Sequence, residues 1–149
     1  MAFRIVPIPP AALTTLRADS ELVVDVEGGS PLRCCLSRAL PGERIALVSY
    51  APLAALAEEA GAYVETGPVF IHAADCGGPA SDGFPDEHRR APRVYRAYRA
   101  NGRILGGRLV RPGEVAEDVL AELFAAPETA FVHVRAVEFG CFQFEVRRG

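Results

Sequence analysis

"RVYRAYRANGRILGGRLV" (residues 93–110) is two alternating runs on either side of Asn101-Gly102. Period-two alternation marks a strand with one buried face, and Asn-Gly between two such runs is a strong hairpin signal. The spacing therefore predicts strands over 93–99 and 103–110, paired antiparallel across a two-residue turn. The same pattern recurs along the chain. Strands are expected at 3–6, 21–26, 44–50, 69–73, 131–137 and 141–147, most of them joined by short links or turns. Helices are expected at 11–17, behind Pro9-Pro10, at 51–60, stopped by Gly61, and at 114–124. The last of these sets Val115, Val119, Leu120, Leu123 and Phe124 on one face. Regular βα alternation is absent, which excludes a doubly wound parallel sheet. The predicted class is α+β: a single domain over residues 1–149, mostly antiparallel sheet with about three helices packed on it.

Composition supports a folded chain. Half of the 149 residues are hydrophobic and 23% are charged, so one substantial core is possible without disulfide staples. The net charge of −3 gives no global basic excess of the kind nucleic acid attracts. All 16 basic residues are arginine, the side chain best suited to forked contacts with carboxylates and phosphates. Pro7, Pro9 and Pro10 interrupt the start of the chain, so no secretory signal is read there, and no apolar run approaches the length of a membrane span. A cytoplasmic, bacterial-type protein with no membrane partner is expected. The cysteines at 34, 35, 76 and 141 form no CxxC pair and are expected to be free thiols.

Several blocks carry a resemblance. "LRCCLSRALPGERIALVSY" (32–50), "YVETGPVFIHAADC" (63–76), "YRAYRANGRI" (95–104), "LFAAPETAFVHVR" (123–135) and "GCF" (140–142) occur in one order. Together they resemble an uncharacterised bacterial family known as domain of unknown function 1203. The resemblance implies small, single-domain bacterial proteins and no assigned activity. The family's last block resembles Asn-x-x-His-Gly-Cys. Here Ala136 stands in place of the Asn and Phe139 in place of the His, while Gly140 and Cys141 are kept.

Chemistry-bearing groups gather in few places. On their strands His72 shares a face with Phe70, and His133 and Arg135 share a face with Phe131. If the two strands pair, both imidazoles face one cleft and can hold or move a proton near pH 7. The expected site then has His133, Arg135, Glu138 and Cys141 on one wall and Glu65 and His72 on the other. His72, His133 and Cys141 are the catalytic candidates. Glu65, Arg135, Glu138 and Arg93 are the ligand-binding candidates, with Arg93 joining Arg135 on an anion. Cys141 beside His133 or Arg135 is a candidate thiolate nucleophile. His72, Cys76, His133 and Cys141 have the ligand types for zinc, but not a compact ligand spacing, so no metal ligand and no cofactor is assigned. Cys34 and Cys35, read as strand neighbours, are expected to face opposite ways and not to share an ion. Residues 88–111 hold eight arginines with Tyr95 and Tyr98 interleaved and no acid. A salt-linked surface is the expectation there, with nucleic acid disfavoured.

Phosphate-loop, dinucleotide, HExxH and GxSxG motifs are all missing. Three function classes stay open: a module binding a small anionic ligand, a small His/Cys/Arg enzyme, and a zinc-binding protein. Nothing in the sequence speaks to oligomeric state.

Overall fold

A computed structural model describes residues 2–149. In chain order the elements are β1 (Phe3–Val6), α1 (Pro10–Ala18), β2 (Glu21–Asp25), β3 (Glu43–Tyr50), α2 (Ala57–Ala60), β4 (Gly67–His72), β5 (Arg93–Tyr98), β6 (Ile104–Val110), α3 (Ala116–Phe124), β7 (Phe131–Ala136) and β8 (Phe142–Arg148). The α+β class holds, with one refinement. The strands divide into two antiparallel sheets, β1-β8-β7-β5-β6 and β2-β3-β4. None of the helices is long and apolar enough to cross a membrane.

The larger sheet has two unlike faces. Tyr95, Ala97, Val132, Val134, Phe144 and Val146 line one of them and pack against Val119, Leu120 and Phe124 of α3. Across the sheet the register aligns Arg96 with His133 and His133 with Glu145, and Arg135 with Phe142. This second face carries guanidinium, imidazole and carboxylate in its strands' interior. It is covered at one end by residues around α2, where Leu53, Ala60, Tyr98 and Phe131 form a small core. The smaller sheet packs with α1 through Ile8, Leu13, Ala46, Val48, Val69 and Ile71, and Phe142 reaches into that core from β8. The Arg33 guanidinium ties the layers, its Nε donating to the Phe142 carbonyl at 2.8 Å.

Local chemistry explains the departures from expectation. The 51–60 helix is only one α-turn between two 3₁₀ turns, ended by Gly61 at φ 56°. The third helix begins at Ala116, and Val115 is exposed as its N-cap residue. Glu114 is held in the preceding turn by Arg108 and by the Arg111 N–H. The hairpin link is also longer than two residues. The Gly102 N–H donates to Arg99 O and the Arg99 N–H to Arg103 O, both at 2.9 Å, with Gly102 at φ +84°. A three-residue loop whose last residue is a left-handed glycine is a common alternative hairpin link.

Gly102 is also in close contact. A Cβ there would lie 2.9 Å from Ala60 Cβ. Gly102→Ala is expected to cost about 2 kcal/mol, from left-handed strain plus that overlap, read as a lower urea midpoint at unchanged slope.

Candidate functional site

Two separate places gather the chemistry. The first lies at the end of β4. After β2 the chain turns sharply at residues 32–37, with Leu36 N–H donating to Leu32 O at 3.0 Å and Leu32 N–H to Ser37 O at 2.9 Å. Leu36 closes this turn at φ 61°, a left-handed conformation that a branched apolar residue adopts only under the pull of its surroundings. Cys34 and Cys35 therefore lie on a turn, where strand alternation does not apply. Their sulfurs lie 3.4 and 3.6 Å from the same atom, His72 Nδ1. With Cys76, four residues beyond His72, these ligand atoms all lie within 4.8 Å of one another. Cys34 is buried, Cys35 half-buried and Cys76 exposed.

The imidazole is set for ligation. Its Nε2 lies 2.7 Å from Glu43 Oε1. The Leu40 N–H bonds the same carboxylate at 2.7 Å and holds it below the usual carboxyl range. An ionised carboxylate only accepts, so Nε2 carries a proton, and in a neutral ring Nδ1 is the atom left to face the sulfurs as a ligand. The His72 N–H also donates to Cys34 Sγ at 3.2 Å. The sulfur-to-sulfur hydrogen bond, followed by burial, pushes the Cys34 thiol up. The same bond, reinforced by Ser37, pushes Cys35 down, so Cys35 is the readier thiolate.

The second place is a hollow of about 310 Å³ between the sheets, at the start of β4. Glu65, Arg96, Arg135 and Cys141 supply its polar wall; Tyr50, Pro68 and Phe142 are among its apolar residues. Glu65 bridges the two guanidiniums. Arg96 Nη1 donates to its Oε1 at 2.9 Å and Arg135 Nη2 to its Oε2 at 3.1 Å. Arg135 Nε also donates to Gly140 O at 2.8 Å, and Arg96 Nη1 to the Tyr98 hydroxyl at 3.2 Å.

The description Protein of unknown function (DUF1203) belongs to a family that matches residues 29–148. The chain belongs to that family. No curated protein and no solved structure matches it. Every residue of both places falls inside the family's span, and β1, α1 and β2 fall before it.

The expected cleft thus forms in part. Glu65, Arg135 and Cys141 do share one hollow. His72 does not join them, because it ends β4 while the hollow lies at that strand's start, and β4 meets β7 across the layers and not as a paired neighbour. His133 lies beneath the hollow, fully buried among Tyr98, Phe131 and Phe142, with Nε2 on Glu145 at 3.0 Å. Burial outweighs that carboxylate and favours the neutral imidazole, and its buried Nδ1 has no hydrogen-bond partner among the described residues. Glu138 is not among the lining residues. Arg93 is buried elsewhere, its Nε donating to His88 Nδ1 at 3.1 Å, so it does not reach an anion held by Arg135. Cys141 has only the Phe139 carbonyl within 4.0 Å as a hydrogen-bond partner among the described residues, and no imidazole beside it. The zinc-type set keeps His72 and Cys76, but Cys34 and Cys35 take the places expected of His133 and Cys141.

Four of the eight arginines of residues 88–111 are salt-linked among the described residues: Arg89 to Asp86 and Glu117, Arg90 to Glu87, Arg96 to Glu65, Arg108 to Glu114 and Glu122. Two features were open to sequence reasoning and were missed. The Cys34-Cys35 pair sits between the breakers Ser30-Pro31 and Pro41-Gly42, which argues against a strand there. Arg96 shares a strand face with Tyr98, and a β5–β7 pairing would have set it beside His133.

Proposed function

We propose that this protein binds a thiophilic divalent ion of the zinc class through Cys34, Cys35, His72 and Cys76. The observation that carries the reading is the approach of both adjacent sulfurs to one imidazole nitrogen. A tetrahedral zinc with ordinary bond lengths separates a thiolate from an imidazole nitrogen by about 3.5 Å. The two distances here, 3.4 and 3.6 Å, fall on either side of that value. The Glu43–His72 contact supplies the carboxylate–imidazole support usual behind a metal-bound histidine.

Four protein ligands leave no open coordination position, so the ion holds structure and does not activate water. It would join the turn at 32–37 to the loop that begins at Asp75, whose glycines at 77 and 78 have positive φ. Arg17 sits beside this ligand set: its Nε donates to the His72 carbonyl at 3.1 Å, and it shares a hollow with Cys34 and Cys76. Its positive charge offsets part of the negative charge that three thiolates leave around a divalent ion.

Cobalt(II) titration of the reduced, metal-free protein tests the reading. A single equivalent should produce the intense visible bands of a tetrahedral thiolate site and the sulfur charge-transfer band in the near ultraviolet. Cys76→Ser should weaken both. Absence of those bands, or octahedral cobalt spectra, would remove the proposal. Glu43→Gln should leave the spectrum in place and lower the affinity about 10- to 100-fold, the usual effect of losing the group behind a ligating histidine.

A further inference from the structure

The hollow between the sheets has a second kind of chemistry, independent of the cysteines. Its two guanidiniums face one carboxylate. Among the described residues, neither Arg96 nor Arg135 forms a salt bridge with any acid other than Glu65. One positive charge is therefore left over. Of the five donors on each guanidinium, Arg96 uses only Nη1 and Arg135 only Nε and Nη2 among the described residues.

The three side chains are held unequally. Arg135 is nearly buried and fixed by the Gly140 carbonyl, and Arg96 is steadied by the Tyr98 hydroxyl. The Glu65 side chain is 51% exposed and lies in the link before β4. An exposed carboxylate of this kind contributes little when paired and is cheaply displaced. Rigid receivers with a loosely held internal counterion form a site in which an incoming oxyanion can take the counterion's place.

The rest of the wall defines the ligand's other end. The Tyr50 and Phe142 rings stand 5.7 Å apart by centroid. Pro68 adds a flat apolar surface, and Phe139 at the rim is 90% exposed, a large apolar side chain with nothing covering it. A volume of about 310 Å³ is at the small end for organic ligands. Bidentate guanidinium contacts to an oxyanion are strong and directional.

We propose that this hollow binds a small organic monoanion, an oxyanion group on a flat apolar body, with the oxyanion displacing Glu65 from Arg96 and Arg135. The proposal does not depend on metal binding, and a failed cobalt titration leaves it standing.

The test is an NMR titration of ¹⁵N-labelled protein with sodium benzoate and, separately, inorganic phosphate, at constant chloride. Benzoate should shift the Arg135 Nε–H resonance together with the backbone amides of Cys141 and Phe142. Glu65→Gln removes the competing carboxylate and should tighten benzoate about tenfold. Arg96→Gln, at a partly exposed site, should weaken it by a similar factor, with melting temperatures confirming that both variants fold. Competition by phosphate at concentrations similar to benzoate would overturn the part played by the apolar body. Failure of phosphate to compete would assign the specificity to carboxylates with an apolar body. Shifts that spare residues 135, 141 and 142, or an affinity for benzoate that Glu65→Gln leaves unchanged, would overturn the proposal.

Discussion

Zinc at a hundredfold excess over its dissociation constant will raise the melting temperature of the metal-free protein by about 5–10 °C. Binding to the native state alone at that excess adds about 2.7 kcal/mol, and a chain of this size gains about 2–4 °C per kcal/mol. The physical reason is the sequence distance between the ligands. Cys34 and Cys35 precede β3, while His72 and Cys76 follow it at the end of β4 and in the next loop. The unfolded chain does not hold these groups together, so metal-binding free energy becomes folding free energy. Cys76→Ser separates this from packing. Cys76 is exposed, so the metal-free variant should melt with the wild type, while the increment from zinc shrinks. Equal melting temperatures for the wild type in zinc and in chelator would sink the metal reading.

Acid will begin to destabilise the metal-free protein as pH falls below 6.5, through two buried imidazoles. His88 is buried, and desolvation, with Arg93 beside it, pushes its pKa from the ordinary 6.5 down to about 3. His133 is lowered too, chiefly by burial. Both are neutral in the fold. As pH falls below 6.5, the unfolded chain takes up protons that the native state refuses, so stability present at neutral pH is lost toward acid. For His88 alone the loss between pH 8 and pH 5 is about 2 kcal/mol, and His133 adds to it in the same direction. Glu117 and Glu145 have pKa values lowered below 4.5, so these two carboxylates contribute little between pH 6.5 and 5. His88→Asn keeps an acceptor for Arg93 Nε and removes the titration. Its urea-unfolding free energy, measured with chelator present, should fall less steeply over that interval than the wild type's. Parallel curves would show that His88 does not stay neutral when buried.

Much of the fold was legible because it is local. Alternation located the strands, glycine and proline marked the turns, and the apolar stripe Val119-Leu120-Leu123-Phe124 identified α3. The division into two sheets was not legible. It depends on which strands find each other across long stretches of chain, and both His72 and His133 lie on strands that read alike from sequence. That one ambiguity merged two places into one expected cleft. Arg135, Glu65 and Cys141 survived it because Arg135 and the Gly140 turn are neighbours along the chain, and the start of β4 meets them across the layers. Cys34 and Cys35 were misplaced for a different reason. Alternation was applied to a segment whose backbone reverses at Leu36, and a left-handed leucine has no signature in composition or period.

The Asn101-Gly102 corner has a practical consequence. Sequence alone would recommend it for an epitope tag, a fluorophore or a circular-permutation break, since polar hairpin corners usually tolerate such grafts. Here Gly102 is buried beneath Ala60 and Leu56, so added residues would act as a wedge under the α2 region. The exposed stretch around Ser81 and Asp82, where side chains face water, is the gentler place to cut or extend this chain.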